Sequence, residues 1–290
     1  MRQTSLNDQT GYIWFNGEFI LWQDAKVHVL THSLHYASSV FEGERAYNGK
    51  IFELEAHTER LLASAATLRL DVAYSAEEIN QATKKLLMLN NLQDGYVRPL
   101  IWRGSESQKI VLSSALSTNI MVACFAMSPK NSKSMNVELS SWIKPHPLSI
   151  PPQCKSSGAY QTMILALSDA IEKGYDDALL LDWRGYIAEC SSSNIFFVKD
   201  GHLVTPTTEA VLSGITRKAV IDIAKEVGIN TEERHITPEE IESFSECFVT
   251  GTAAGIKFVN SITTSSGKTL YKNADIIPKL TLLYEERVRR

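Results

Sequence analysis

Two ionisable side chains stand alone in otherwise uncharged stretches of the chain. Lys155 carries the only permanent charge between Pro145 and Ser168, and Glu189 the only one between Gly185 and Val198. Desolvation disfavours an ammonium, so a lysine in apolar surroundings can offer a neutral amine that forms a Schiff base with an aldehyde. Pro151-Pro152 gives a rigid entry to Lys155, and Ser156-Ser157-Gly158-Ala159 after it leaves room for a bulky partner. A carboxylate shut away from water is costly unless a cation or donor meets it, and a protonated aromatic nitrogen would meet Glu189. The plainer readings are a lysine whose stem lies on the surface with its head in water, and a glutamate at an exposed turn.

Two further stretches suit an anion. Gly214-Ile215-Thr216 opens an amphipathic helix, and Gly251-Thr252-Ala253-Ala254 follows an apolar run. Backbone amides at such places bind phosphate, although Gly-x-Thr before a helix is also ordinary capping. An amine, a carboxylate for a ring nitrogen and a phosphate cup are three of the demands that pyridoxal phosphate makes, the fourth being a grip on the substrate carboxylate.

The elements that must position these groups fall into two parts. Asn16-Gly17 and Asn48-Gly49 are type I′ hairpin signals between runs of apolar residues. Helices follow, one with Leu54, Leu61, Leu62, Ala65 and Leu68 as its apolar side, the next started by the capping box Ser75-Ala-Glu-Glu78. Tyr96–Trp102 and Ile120–Phe125 read as strands. Ser128–Ser134 has the composition of a linker. Beyond it come a strand at Val137–Trp142, the lysine stretch, and a helix with Met163, Leu167, Ala170 and Ile171 inward. Strands at Ala178–Asp182, Tyr186–Cys190 and Asn194–Val198 lead to the hairpin turn Asp200-Gly201. A helix from Ile215 stops at Gly228, Thr237-Pro-Glu-Glu240 is another capping box, and Glu246–Thr250 is a strand running into Gly251. The expected fold is α+β, two domains of mixed sheets packed with helices: 1–127 small, 128–134 linker, 135–290 large and carrying Lys155.

A net charge of −4 with no basic run argues against nucleic acid as a partner. Four scattered cysteines lack the spacing for zinc or a redox pair, so free thiols in a reducing compartment are expected. The polar N-terminus and the absence of any membrane-length apolar run point to a cytoplasmic protein. His32 and His35 are spaced like a metal pair, but nothing else supports metal, and hydrogen-bonded histidines are the expectation. No dinucleotide or Walker-type loop appears.

Six stretches, in order, resemble the branched-chain-amino-acid aminotransferases of the fold-type-IV pyridoxal-phosphate class. They are Tyr12–Gly17, His35–Gly43, Tyr96–Pro99, Lys155–Tyr160, Leu212–Arg217 and Thr250–Ala254. The resemblance implies that Lys155 holds the cofactor and moves the substrate proton, that Glu189 pairs with the pyridine nitrogen, and that Tyr160 hydrogen-bonds the ring hydroxyl oxygen. It implies Arg60, Ile215, Thr216 and Thr252 as phosphate ligands. Tyr96 and the amides of Thr252 and Ala253 would take the substrate α-carboxylate. Tyr36, Phe41 and Tyr96 would line an apolar pocket, with Arg98 meeting the second carboxylate of glutamate or 2-oxoglutarate. It further implies small-molecule substrates and a homo-oligomer, a dimer or a multiple of dimers. The alternatives are a D-amino-acid transaminase, which the run Cys190-Ser-Ser-Ser-Asn194 also resembles, an aminodeoxychorismate-lyase-like enzyme, or a non-catalytic scaffold.

Overall fold

In the computed structural model, residues 5–110, 116–127, 134–272 and 274–290 are described. The chain divides into two compact units, one of Met1–Pro129 with Cys154–Gly158, the other of Lys130–Gln153 with Ala159–Arg290. No helix among the described residues is long and apolar enough to cross a membrane.

In the first unit, Asn16 and Gly17 both take positive φ, 47° and 94°. That is the geometry a two-residue turn needs to match strand twist, and it joins β1 (Tyr12–Phe15) to β2 (Glu18–Leu21). A short α1 (His32–Tyr36) leads to β3 (Ser39–Phe41) and β4 (Glu44–Tyr47), and Asn48-Gly49 turns the chain into β5 (Lys50–Ile51). Next come α2 (Leu54–Thr67) and α3 (Ala76–Leu89), the latter opened by the Ser75–Glu78 capping box in both of its hydrogen bonds. β6 (Gly95–Arg103) and β7 (Thr118–Ala126) complete a sheet in the order β2-β1-β7-β6-β4-β5, with β3 also on β6. Leu61, Ile79 and Leu86 from the helices meet Val97, Ile101 and Val122 from the sheet in one core.

Cys154–Gly158 belongs to this unit, not to the C-terminal part in which the sequence reading placed Lys155. The physical reason is local pairing. Ser156 bridges to Val40, the Phe41 amide donates to the Lys155 carbonyl at 3.1 Å, and the Cys154 side chain joins the core. Of the expected linker, residues 128–133 lie outside the described residues.

The second unit is built on β8 (Met135–Ile143), α4 (Tyr160–Glu172), β9 (Asp177–Leu181), β10 (Ile187–Cys190), β11 (Asn194–Lys199) and β12 (His202–Thr205). It continues through α5 (Ile215–Glu226), β13 (Thr231–Glu233), β14 (Glu246–Gly251), β15 (Gly255–Thr264), β16 (Gly267–Leu270) and α6 (Ile276–Val288). The Thr237–Glu240 capping box is present, but it opens a 3-10 turn over Pro238–Ser243. The sheet runs β10-β9-β8-β15-β14-β11-β12-β13, and β10 also pairs with β11. Strands β8, β9, β10, β11, β14 and β15 therefore form a closed ring of pairings. Its core includes Phe197, Cys247 and Val259, while Phe196 stacks on Phe248 with centroids 5.0 Å apart. Each such side chain contributes about 1.5–3 kcal/mol by leaving water. In α4 the buried stripe is Met163, Ala166 and Ala170; Ile171, expected inward, is 57% exposed because it lies one step beyond that stripe.

Candidate active site

In the first unit α2 presents His57, Arg60 and Ser64 towards Glu42, between β3 and β4, and towards Cys154 and Lys155. The spacing of three and four residues puts them on one helix face. Ser64 Oγ accepts from the Lys155 amide at 3.1 Å, and the Ser64 carbonyl accepts from Cys154 Sγ at 3.5 Å. Arg60 donates to Glu42 through Nε at 2.6 Å and Nη2 at 2.8 Å, a two-pronged grip, and His57 Nδ1 donates to the same carboxylate at 2.8 Å. Burial alone would push the Glu42 carboxyl up. The hydrogen bonds from His57 and Arg60, with their charges, outweigh it and hold Glu42 at about 2. Burial also dominates at His57 and lowers its pKa despite the opposing pull of Glu42, with the Arg60 and Lys155 charges adding to the fall. At neutral pH His57 is thus a neutral donor, and the charge that balances Glu42 is the guanidinium of Arg60.

Lys155 Nζ lies 4.9 Å from the centre of the Phe41 ring. Arg98 sits over both Phe41, at 4.8 Å, and Tyr96, at 5.2 Å, and donates from Nη2 to the Tyr96 hydroxyl at 2.8 Å. Its Nε is buried and makes no hydrogen bond among the described residues. Tyr96 in turn explains Gly43, since a Cβ there would fall 2.1 Å from the tyrosine oxygen. Tyr36 is 44% exposed, packs on His32 and His35, and donates to the Gln108 carbonyl at 3.2 Å. Both histidines are hydrogen-bonded, His32 to Ser38 and the Lys109 carbonyl, His35 to the Val29 carbonyl.

In the second unit Glu189, Asn194 and Thr250 are cross-strand neighbours in one row over β10, β11 and β14. Glu189 is 5% exposed, so the exposed-turn reading falls away. Its Oε1 meets Lys144 Nζ at 2.6 Å and its Oε2 accepts from Asn194 Nδ2 at 3.0 Å. The cation and the donor that a buried carboxylate requires are thus both present, the ammonium of Lys144 and the amide of Asn194. Asn194 Nδ2 also donates to the Leu212 carbonyl at 2.9 Å, which ties the loop before α5 to the Glu189 row. A Cβ at Gly214 would lie 2.1 Å from Asn194 Oδ1, so this close approach requires glycine.

Ile215 and the buried Thr216 are the first two residues of α5, whose N-cap Gly214 supplies no side-chain cap. Its leading amides are thus left for another acceptor. Thr252 and Ala253 occupy the turn between β14 and β15, beside Thr250, whose buried Oγ1 makes no hydrogen bond among the described residues. Tyr160 is the first residue of α4. Burial raises all four thiols, Cys124 to about 11, so none offers a thiolate nucleophile at neutral pH. No group of three or more potential metal ligands occurs among the described residues.

The structure thus brings Lys155, Phe41, Tyr96, Arg98 and Arg60 into the first unit, and Glu189, Ile215, Thr216, Thr252, Ala253 and Tyr160 into the second. Glu42, His57, Ser64, Lys144 and Asn194 are additions. His57 and Ser64 were legible as polar positions on the apolar side of α2. Nothing local to Lys144 signals its partner, which lies forty-five residues further on in the sequence.

In the second unit the buried carboxylate suits the ring nitrogen of pyridoxal phosphate and the uncapped helix amides its phosphate, and in the first unit the amine of Lys155 suits its aldehyde. Comparison with known proteins agrees. The profile described as amino-transferase class IV matches residues 39–262. A probable branched-chain-amino-acid aminotransferase of Rickettsia felis is 47% identical over 279 residues, 96% of each chain. The crystal structure of the Escherichia coli branched-chain amino acid aminotransferase superposes with a TM-score of 0.91 at 35% identity, over 96% of this chain and 94% of that one. The T.th. branched-chain amino acid aminotransferase complexed with N-(5'-phosphopyridoxyl)-L-glutamate gives 0.92 at 35% identity, over 97% and 96%.

Proposed function

The chain belongs to the amino-transferase class IV family and is a pyridoxal-phosphate-dependent transaminase, and on that footing we propose that it moves the amino group of L-leucine, L-isoleucine or L-valine reversibly to 2-oxoglutarate. The observation that carries this choice is Arg98 held between the Phe41 and Tyr96 rings with a buried Nε still unbonded among the described residues. An aliphatic side chain gains about 0.8 kcal/mol per methylene against such aromatic walls. A cation between them pairs the second carboxylate of glutamate. The solved relative that holds phosphopyridoxyl-L-glutamate supports the same substrate pair.

Pyridoxal phosphate, when bound, supplies an aldehyde for imine exchange and a ring that draws electrons from the substrate Cα. Lys155 supplies the amine that anchors it and then takes and returns the Cα proton. Glu189 accepts from the ring nitrogen and Tyr160 donates to the ring oxygen. Arg60, held in place by Glu42, with Thr252 and the amides of Ile215 and Thr216, grips the phosphate. Tyr96 and the amides of Thr252 and Ala253 hold the substrate α-carboxylate, while Tyr36 and Phe41 bound the side chain. The reading extends to a homo-oligomeric enzyme of the cytoplasm, and the four free cysteines support a reducing compartment.

Borohydride reduction of the yellow protein should fix the cofactor to the peptide bearing Lys155. Activity with L-leucine and 2-oxoglutarate should fall by two orders of magnitude or more in Lys155→Ala, on the order of a lost general acid–base group. Turnover of D-alanine with none of L-leucine would overturn the proposed substrate class, and full activity in Lys155→Ala the role of that residue.

A further inference from the structure

The ammonium facing Glu189 bears on how that carboxylate works. The Lys144 backbone amide donates to the Leu181 carbonyl at 2.8 Å, next to Leu180, the residue that pairs with Glu189 across β9 and β10. The lysine is therefore held by its main chain beside the strand that carries its partner. Lys144 is 6% exposed and Glu189 5%, and the salt bridge between them is 2.6 Å long. The ammonium also meets Met163 Sδ at 3.8 Å. Asn194 donates to the other carboxylate oxygen at 3.0 Å. Glu189 is thus oriented by two fixed donors, one of them charged.

We propose that Lys144 is a positioning residue of the transamination site: it presents Glu189 as an unprotonated acceptor and keeps the proton they share on the pyridine nitrogen. This rests on the reading above that Glu189 faces that nitrogen. A proton moved from the ring to Glu189 would come to rest against an ammonium 2.6 Å from the carboxylate oxygen. In buried surroundings charges are weakly screened, so that transfer is opposed. Without the ammonium, Glu189 is a buried carboxylate with only a neutral amide beside it, and removing one partner of such a pair leaves an uncompensated charge. The shared proton then moves to the carboxyl, and a neutral ring withdraws electrons less well. Lys144→Met retains an apolar side chain of similar length beside Met163, and removes the charge together with its hydrogen bond to Glu189.

The test loads the wild type, Lys144→Met and Lys144→Arg with pyridoxal phosphate labelled with nitrogen-15 in the ring, and reads the ring-nitrogen chemical shift by NMR. The wild type should show a protonated ring, Lys144→Met a shift towards neutral pyridine, and Lys144→Arg the wild-type signal. In Lys144→Met kcat should fall about 10–100-fold, the range seen when a group that orients a catalytic ligand is lost, with the KM for L-leucine within about twofold. A purely structural lysine would change stability and leave the nitrogen shift alone, and an unchanged shift in Lys144→Met refutes the proposal. Should Lys144→Met not fold, Lys144→Gln, a donor without charge, must show the same shift, and a protonated ring there refutes it equally. Failure of the wild type to carry the cofactor on Lys155 would instead sink the functional reading on which this rests.

Discussion

Glu42→Gln keeps the shape of its side chain and removes the charge on which Arg60 and His57 converge. In the fold that carboxyl is held at about 2 against an ordinary 4.5, burial working against and the donated hydrogen bonds for its charged form. The gap, at about 1.4 kcal/mol per pH unit, amounts to about 3 kcal/mol of stability at neutral pH. Removing one partner of a buried pair costs about 3–5 kcal/mol, which agrees. Because the folded value lies below the unfolded one, this stability is complete above pH 4.5 and fades as the pH falls towards 2. Urea denaturation of the cofactor-free protein, which leaves ligand linkage out of the comparison, should therefore show Glu42→Gln weaker by about 3 kcal/mol at pH 7. The difference should shrink by about 1.4 kcal/mol at pH 3.5, one pH unit below the unfolded value. A loss under about 1 kcal/mol at pH 7, or one that stays constant between the two pH values, refutes the reasoning.

Glu44 behaves in the opposite way. It is wholly buried, neither carboxylate oxygen has a hydrogen bond among the described residues, and burial with the nearby Glu42 charge raises its pKa well above 4.5. Its folded form is favoured at low pH and penalised as the pH climbs past 4.5, so Glu44→Leu should gain about 1–3 kcal/mol at pH 7. It should also flatten the decline of stability with rising pH, and a loss at pH 7 in the urea midpoint would count against it. Gly214→Ala places a Cβ 2.1 Å from Asn194 Oδ1 and must displace an amide that holds both Glu189 and the Leu212 carbonyl. With about 0.5–1.5 kcal/mol for each of those hydrogen bonds, a loss of about 1–3 kcal/mol is expected. Weaker uptake of pyridoxal phosphate, read by spectral titration, should accompany it, and unchanged affinity would speak against the Asn194 link.

Much of this was open to reading because local chemistry dictated it. Asn16-Gly17, Asn48-Gly49 and Asp200-Gly201 adopt paired positive φ because asparagine, aspartate and glycine tolerate it at little cost, and Gly228 follows α5 with φ 76° for the same reason. Lys155 and Glu189 declared themselves by isolation from other charges. What local signals could not give was long-range partnership. Cys154–Gly158 groups with the first unit through pairing to β3 and packing against Ser64, contacts about ninety residues or more apart in sequence. Glu42 reads as part of a motif but not as the partner of Arg60. Lys144 reads as one more lysine after a strand. The strands beyond Gly251 and the α6 helix lack turn pairs as strong as those upstream.

The closed ring of the second unit has one further consequence, for the order in which its pieces can come together. Glu189 and Asn194 are five residues apart, so their pairing uses up little chain freedom, and loop-closure entropy rises only with the logarithm of separation. The parallel contact of Met135 with Val259 spans more than a hundred residues and bears the greater entropic burden. The acidic corner of the site is therefore its cheap, local joint, while the slow join lies across the barrel at β8 and β15.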